Sequence, residues 1–418
     1  MNSGGGYDVY SSMARLRLFL VLAYGLLAAC GDDEVTDPMP QGIPAAAVIV
    51  GGADQLQFPN TPLLEYLFVR VVDSDGNSVA VSGLRAEWTV LEGGGAIVPK
   101  ADTTTRQGLV WAEWTMGGAP GINRVQVTVA DLSALEFTAR SANPGPIVYV
   151  SGNSEDVFGV FPGDLITVNE DGSDAIRIAF PDGGINYPAN PAWSPDGSKV
   201  SYSRLQPLPA GGNPNPIPLG VFILDVPGVR ERRVPPTGGS SALGDSLVEA
   251  AWSPTGAFIV AHSLSDQRLY TMRASGTGIK PITPIGEPAR SPSWSPDGTL
   301  IAYACGAHIC LIQPDGTGLR TVTRGTEPAW SPDGSQILFS RDSLFNGGIW
   351  LVNADGTGVE QIIEGNATAP DWSPDGTRFV MTLRSGARSD IYIVDLDTRN
   401  AVILTDQGSH DRQASWRR

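Results

Sequence analysis

Cys305, His308 and Cys310 fall within six residues and form the densest group of metal-binding side chains in this sequence. Two thiolates and an imidazole suit zinc, but a closed tetrahedral site needs a fourth donor, and the segment supplies none. No metal is expected there. Cys305 and Cys310 flank a short turn, where a cross-strand disulfide fits an oxidising compartment and a pair of free thiols fits as well. The other histidines, His262 and His410, share no spacing with His308, so a histidine-rich metal centre is not expected. Asp73-Ser74-Asp75-Gly76-Asn77 begins like a calcium loop, yet the twelfth position from Asp73 is Leu84, where an EF-hand needs Glu. A turn accounts for it. Neither a Gly-x-Ser-x-Gly nucleophile elbow nor a phosphate-binding Gly loop ahead of a helix occurs. These residues predict a protein that is not an enzyme and carries no cofactor.

The elements that position such residues are set by a repeat. Trp193, Trp294, Trp330 and Trp372 are each followed by Ser-Pro-Asp-Gly. Trp252-Ser253-Pro254-Thr255-Gly256 is a variant without the Asp, and a sixth Trp, Trp416, comes near the last residue. Successive Trp positions differ by 59, 42, 36, 42 and 44 residues. A period near 40 with four short strands per unit means propeller blades. Within the motif, Pro fixes φ, Asp-Gly supplies the turn, and Gly accepts positive φ. The Trp ring is expected to pack between neighbouring blades. Second strands fall at 300–303 and 336–339, third strands at 349–352 and 391–394, and outer strands at 319–322 and 359–363. A second Asp-Gly turn recurs at Asp171, Asp315 and Asp355. Residues 146–180 hold the last three strands of a blade, and 413–416 hold a first strand with nothing after it. Pairing the two completes a ring and leaves no open sheet edge. The expected fold class is therefore all-β, a six-bladed β-propeller over 146–418 closed by the C-terminal strand and preceded by a second β-domain. A Pro/Gly-rich insertion at 205–219 explains the 59-residue gap and reads as an exposed loop.

The repeat resembles the WD40-like Trp-Ser-Pro-Asp-Gly propeller of TolB and its relatives. The likeness implies fold far more than function, because one fold hosts many functions. TolB carries an α/β domain ahead of its propeller and this sequence does not, so a role with the Tol–Pal envelope system is not carried over.

In a propeller, the positions three before each Trp approach the channel mouth. They are Asn190, Glu249, Ser291, Glu327, Ala369 and Gln413, with Arg290 beside Ser291. Asn190, Glu249, Glu327 and Gln413 would make a polar, mildly acidic funnel for a basic peptide segment or a cation, with Arg290 next to it. The plainer reading is that these side chains cap strand ends and hydrogen-bond to turns.

Residues 46–142 alternate apolar and polar side chains, as in Leu84-Ala86-Trp88-Val90 and Val125-Val127-Val129. That period of two places one face in a core and one in water. About seven strands in a sandwich are expected. The 71–77 hairpin, the strand through Trp88, the Thr105-Arg106-Gln107-Gly108 turn and the Trp114-Thr115-Met116-Gly117 step resemble bacterial Ig-like domains of the invasin and intimin type, which implies a spacer or an adhesion module.

Residues 1–29 read as a signal peptide, with Met13 a better initiator than Met1. Arg15 and Arg17 precede an apolar run at 18–27 that is short for a membrane span. Leu27-Ala28-Ala29-Cys30 resembles a lipoprotein lipobox, which implies lipidation at Cys30. Residues 30–45 then form a solvated tether. The net charge of -16 repels a phosphate backbone, so nucleic acid is not an expected partner. The expectation is a non-catalytic, lipid-anchored protein of the cell envelope, in the outer membrane on its periplasmic or surface face, whose propeller binds a protein or glycan. The alternatives are a glycan- or peptide-processing enzyme with a site in the channel, and an adhesin acting through the first domain.

Overall fold

The computed structural model describes residues 42–152, 163–178, 187–206, 217–226, 230–235, 246–342, 346–386, 388–405 and 410–417. Cys30, the segment before residue 42 and most of the 205–219 insertion lie outside the described residues. The fold is all-β.

Two four-stranded sheets come first. One joins Ala46–Gly51, Leu67–Val72, Leu109–Thr115 and Ala96–Ala101; the other joins Gln55–Gln57, Leu135–Ser141, Gly121–Val129 and Ala86–Glu92. Their facing side chains share one core, Val69, Val110 and Trp114 from the first meeting Val125, Val127 and Phe137 from the second. The strand count is eight rather than seven. The added one is Gln55–Gln57, too short to show alternation, which pairs parallel with the end of Leu135–Ser141. Asp73 closes the 73–77 turn, its Oδ1 accepting the N–H groups of Asp75 and Asn77.

The chain enters and leaves this unit at opposite poles. Gly42 lies against Asp73 and Val79, whereas Ser141 pairs with Gly121 at the far end of the nine-residue strand Gly121–Val129. Nine residues of extended chain span about 30 Å. At that far pole Leu56, Phe58 and Ala142 pack with Val148, Val150, Leu165 and Ile176 of the next sheet, and Arg140 pairs with Asp174.

Six more four-stranded sheets follow. Five run in chain order and start with Tyr187–Trp193, Leu247–Trp252, Ala289–Trp294, Thr326–Trp330 and Ala367–Trp372. The remaining sheet is assembled from both ends of the region, with His410–Trp416 pairing antiparallel to Ile147–Gly152, then Gly163–Val168, then Ile176–Arg177. These six first strands, called inner strands below, touch in succession, and His410–Trp416 touches both Ala367–Trp372 and Tyr187–Trp193. They therefore surround a common axis.

Each Trp is wedged between its own sheet and the preceding one. Trp193 packs on Val148 and Leu165, Trp330 on Ala302 and Leu311, Trp372 on Leu338 and Ile349, and Trp416 on Val380 and Ile391. Removing about 200 Å² of ring from water is worth roughly 5 kcal/mol. Trp252, in the sheet whose turn lacks Asp, is only half-buried.

Candidate functional site: the axial ring

Every inner strand carries one residue too many. Ala189 and Ala192 pair with Ser203 and Ser201, so Asn190 and Pro191 occupy the space of one residue opposite. The same shift recurs at the equivalent place in the other five. The first residue of each bulge is Asn190, Glu249, Ser291, Glu327, Ala369 or Gln413, and all six have φ between 50° and 54°. Pro191, Pro292, Pro328 and Pro370 follow four of them, tolerated because a bulge has no ladder bond to lose. Positive φ costs a residue with a Cβ roughly 1 kcal/mol, so six at one level need compensation.

Hydrogen bonds between neighbouring sheets supply it. Asn190 N–H donates to Gln413 Oε1 at 2.9 Å, Ser291 N–H to Glu249 Oε2 at 2.6 Å, and Ala369 N–H to Glu327 Oε2 at 2.8 Å. These three junctions alternate with three of another kind. There, Glu249 N–H donates to Ser203 Oγ and Gln413 N–H to Thr382 Oγ1, both at 2.9 Å. The position equivalent to Ser203 and Thr382 at the third is Ala304, which has no side-chain acceptor. Ser340 instead serves its own sheet, donating to Glu327 Oε2 at 2.8 Å. His262 holds the corresponding place beside Glu249, its Nδ1 3.6 Å from Glu249 Oε2. Burial alone would push the Glu249 carboxyl up; His262, the Ser291 N–H and the charge of Arg290 outweigh it and leave the group below the usual range.

The ring forms the wall of a cavity of about 470 Å³, which extends past the Trp residues to Pro195, Pro254 and Pro296. The space therefore opens toward the Ser-Pro-Asp-Gly turns. Sequence spacing put the six residues where the inner strands begin; in the structure Glu327 follows only Thr326 in its strand, whereas three residues precede the bulge in Tyr187–Trp193 and His410–Trp416. Asn190, Glu249, Glu327 and Gln413 are brought together along with Ser291 and Ala369. Arg290 is not: it is exposed and lies outside the cavity wall, since strand alternation turns the residue before a bulge the other way. At the turn end, the guanidinium of Arg417 lies over Trp193 and that of Arg378 over Trp416.

Elsewhere, Cys305 and Cys310 are joined across their hairpin with Cα atoms 5.8 Å apart, and His308 points to solvent. No group of three or more His, Cys, Asp or Glu suited to a metal occurs among the described residues. Sequence reasoning noted His262 but gave it no place, and overlooked Ser203, Ser340 and Thr382. A signal existed. Each lies thirteen residues after a ring residue.

Comparison with known proteins bears on the fold of this region. The family model for the TolB beta propeller domain matches residues 182–363. The chain is also similar to TolB from Acinetobacter baumannii, with a TM-score of 0.51 and 17% identity, over 71% of this chain and 80% of that one. In fold this region is similar to a TolB-type β-propeller. A looser likeness, with a TM-score of 0.49 and 12% identity, connects 64% of the chain to 97% of a chain in a nidogen/laminin complex. At 17% identity the likeness to TolB speaks for fold alone.

Proposed function

We propose that this protein is a non-catalytic scaffold of the cell envelope, lipid-anchored through Cys30. In this reading an Ig-like sandwich holds a six-bladed propeller away from the membrane. Six four-stranded sheets with inner strands in cyclic contact support the blade count, and two sheets sharing one core support the sandwich. The polar separation of Gly42 and Ser141 supports the spacer role, since the tether enters at one end and the propeller hangs from the other.

The observation that carries the binding role is the axial cavity. Its wall holds three carboxylates; both oxygens of Asp371 accept the Trp372 and Trp416 N–H groups, whereas Glu249 and Glu327 each have Oε2 committed to a neighbouring N–H. That leaves one oxygen of Glu249 and one of Glu327 for a ligand, and a basic segment of a partner protein suits an acidic cavity open at the turn end. The test is capture from detergent-solubilised envelope using the lipidated chain, followed by affinity measurement with the partner found. Glu249→Gln with Glu327→Gln keeps both acceptors for the ring N–H groups, as Gln413 does, and removes only charge. The double variant should bind about tenfold more weakly. Unchanged affinity would rule out the axial site, and a Cys30→Ser chain that stays in the membrane fraction would rule out the anchor.

A second reading has one observation in its favour. Val48, Val50, Tyr66 and Val98 are exposed on the first domain, near the Phe68–Trp111 stack. In an adhesin that strip would touch another surface, and protease added to intact cells should then remove it.

A further inference from the structure

His262 is the one ionisable side chain among the six positions that pair with the residues just before the bulges, the others being Ser203, Ala304, Ser340, Thr382 and Val150. It is 3% exposed, and neither ring nitrogen has a hydrogen-bond partner. A buried polar group in that condition is costly. Glu249 Oε2 lies 3.6 Å from Nδ1, outside hydrogen-bond length but within ion-pair reach, and already accepts the Ser291 N–H.

We infer that His262 is a proton-operated latch on Glu249: protonation draws the carboxylate onto the ring wall and away from the axial cavity, and deprotonation lets it face the cavity. An imidazolium Nδ1–H needs an acceptor, and a shift of a few tenths of an ångström by Glu249 turns the present contact into a charge-assisted bond. The pair is then neutral as a whole, which offsets much of the penalty of enclosing two charges. A neutral imidazole with its proton on Nε2 has no donor for Glu249, which is then held by Ser291 alone, through its N–H at 2.6 Å and its hydroxyl at 3.5 Å.

The surrounding groups do not compete for this role. On the inner strand Glu249 is the ionisable residue; on the neighbouring inner strand Arg290 is exposed and acts on Glu249 through its charge without a bond to it, and on the strand packed against the other side Arg204 pairs with Glu231. Around the hairpin to the third strand, Tyr270 donates to Asp266 and Arg268 donates to the Thr283 carbonyl. Arg273, at the far end of that strand, lies over Phe258. Ser340 shows the same geometry without a titrating group, because its hydroxyl donates to Glu327 while Glu327 accepts the Ala369 N–H. The field inside the cavity thus varies with proton concentration on one side of the ring and not on the other. The latch does not depend on what the cavity binds.

An NMR titration of the full chain from about pH 8 to 5, where an imidazole changes charge, tests it. The ring protons of His262 are assigned by their loss in His262→Ser, a substitution for which Ser340 is the structural precedent. The Ser291 amide resonance should move with the same midpoint as the His262 ring. In His262→Ser it should stay still, and in Glu249→Gln the ring should titrate without Ser291 following. A Ser291 amide that ignores His262, one that moves equally in His262→Ser, or a His262 ring that stays neutral until the protein unfolds would each overturn the latch.

Discussion

The Ser-Pro-Asp-Gly turn and the axial ring lie a few residues apart on the same inner strand, yet they are built by opposite rules. At the turn, the same letters make the same bonds every time. Ser194, Ser295, Ser331 and Ser373 each donate to the Asp two residues on at 2.6 or 2.7 Å. Each also accepts the N–H five residues on, at 2.9 or 3.0 Å. At the ring, Asn, Glu, Ser, Glu, Ala and Gln share one backbone conformation. Their bonds cross between sheets and alternate in kind. The turn closes a hairpin by one repeated set of bonds, and even the variant at 253–256 keeps the Phe258 N–H on Ser253 Oγ. The ring needs only a bulge, so its side chains are free to differ, and that freedom is where specificity and control can sit.

Trp372 stands between turn and ring and should be indispensable to both. It is 1% exposed and its Nε1–H donates to the Ala329 carbonyl at 3.1 Å. Trp372→Ala is expected to lose about 3–5 kcal/mol, read from the denaturant midpoint. A loss under about 1 kcal/mol, the size of a surface change, would mean that the sheets are not wedged together by this ring. Glu327→Ala comes next, because it strips the Ala369 N–H and the Ser340 hydroxyl of their acceptor; about 2 kcal/mol should go. Glu327→Gln should retain most of that, and equal losses in the two variants would remove the ring bonds from the account of stability.

Acid should act on the turns. The Asp196 and Asp375 carboxyls are lowered from 3.8 to about 2, first by the hydroxyls of Ser194 and Ser373 and then by the following N–H groups. A lowered carboxyl stabilises the fold above its unfolded value and loses that contribution as pH falls through its folded one. Stability should therefore drop between about pH 4 and 2, and less steeply in a Ser194→Ala, Ser373→Ala double variant. Parallel slopes would count against the turns as the acid-sensitive element. In the exceptional turn, Ser253 and Thr255 are 3.3 Å apart and Ala257 N–H reaches Thr255 at 3.4 Å. Thr255→Asp should supply the missing acceptor and gain about 1 kcal/mol, with slower hydrogen exchange at Ala257. The smallest effect belongs to Ala369→Gly. It relieves positive φ where the side chain does nothing else, and should be stabilising by no more than about 1 kcal/mol. A clear loss there would show that the Cβ at the ring matters to packing.

Much of the propeller was legible in advance because its signals are local. The Trp period, the turn chemistry and the pairing of 413–416 with 146–180 follow from residues read in order, and the inner strand His410–Trp416 does pair with Ile147–Gly152. Boundaries were less legible. The second strand placed at 300–303 runs Ile301–Cys305, and the outer strand placed at 319–322 runs Arg320–Arg324, since hydrogen bonding to neighbours rather than side-chain type fixes where a strand stops. The candidate site divides in the same way. A constant offset from Trp gathered Glu249, Glu327, Asn190 and Gln413, but that offset could not say which face Arg290 occupies.

What the sequence settled by itself is whatever is held by contacts a few residues long: the turn at each Ser-Pro-Asp-Gly, the alternation of the first sheets, the large Trp to be buried once per unit. The tertiary structure decided the rest. Glu249 meets Ser291 across 42 residues and Gln413 meets Asn190 across 223, and bonds of that separation exist only after the sheets have been arranged about the axis. His262 lies only thirteen positions from Glu249, but a bulge had to turn the carboxylate toward it and neighbouring sheets had to exclude water before the pair could matter.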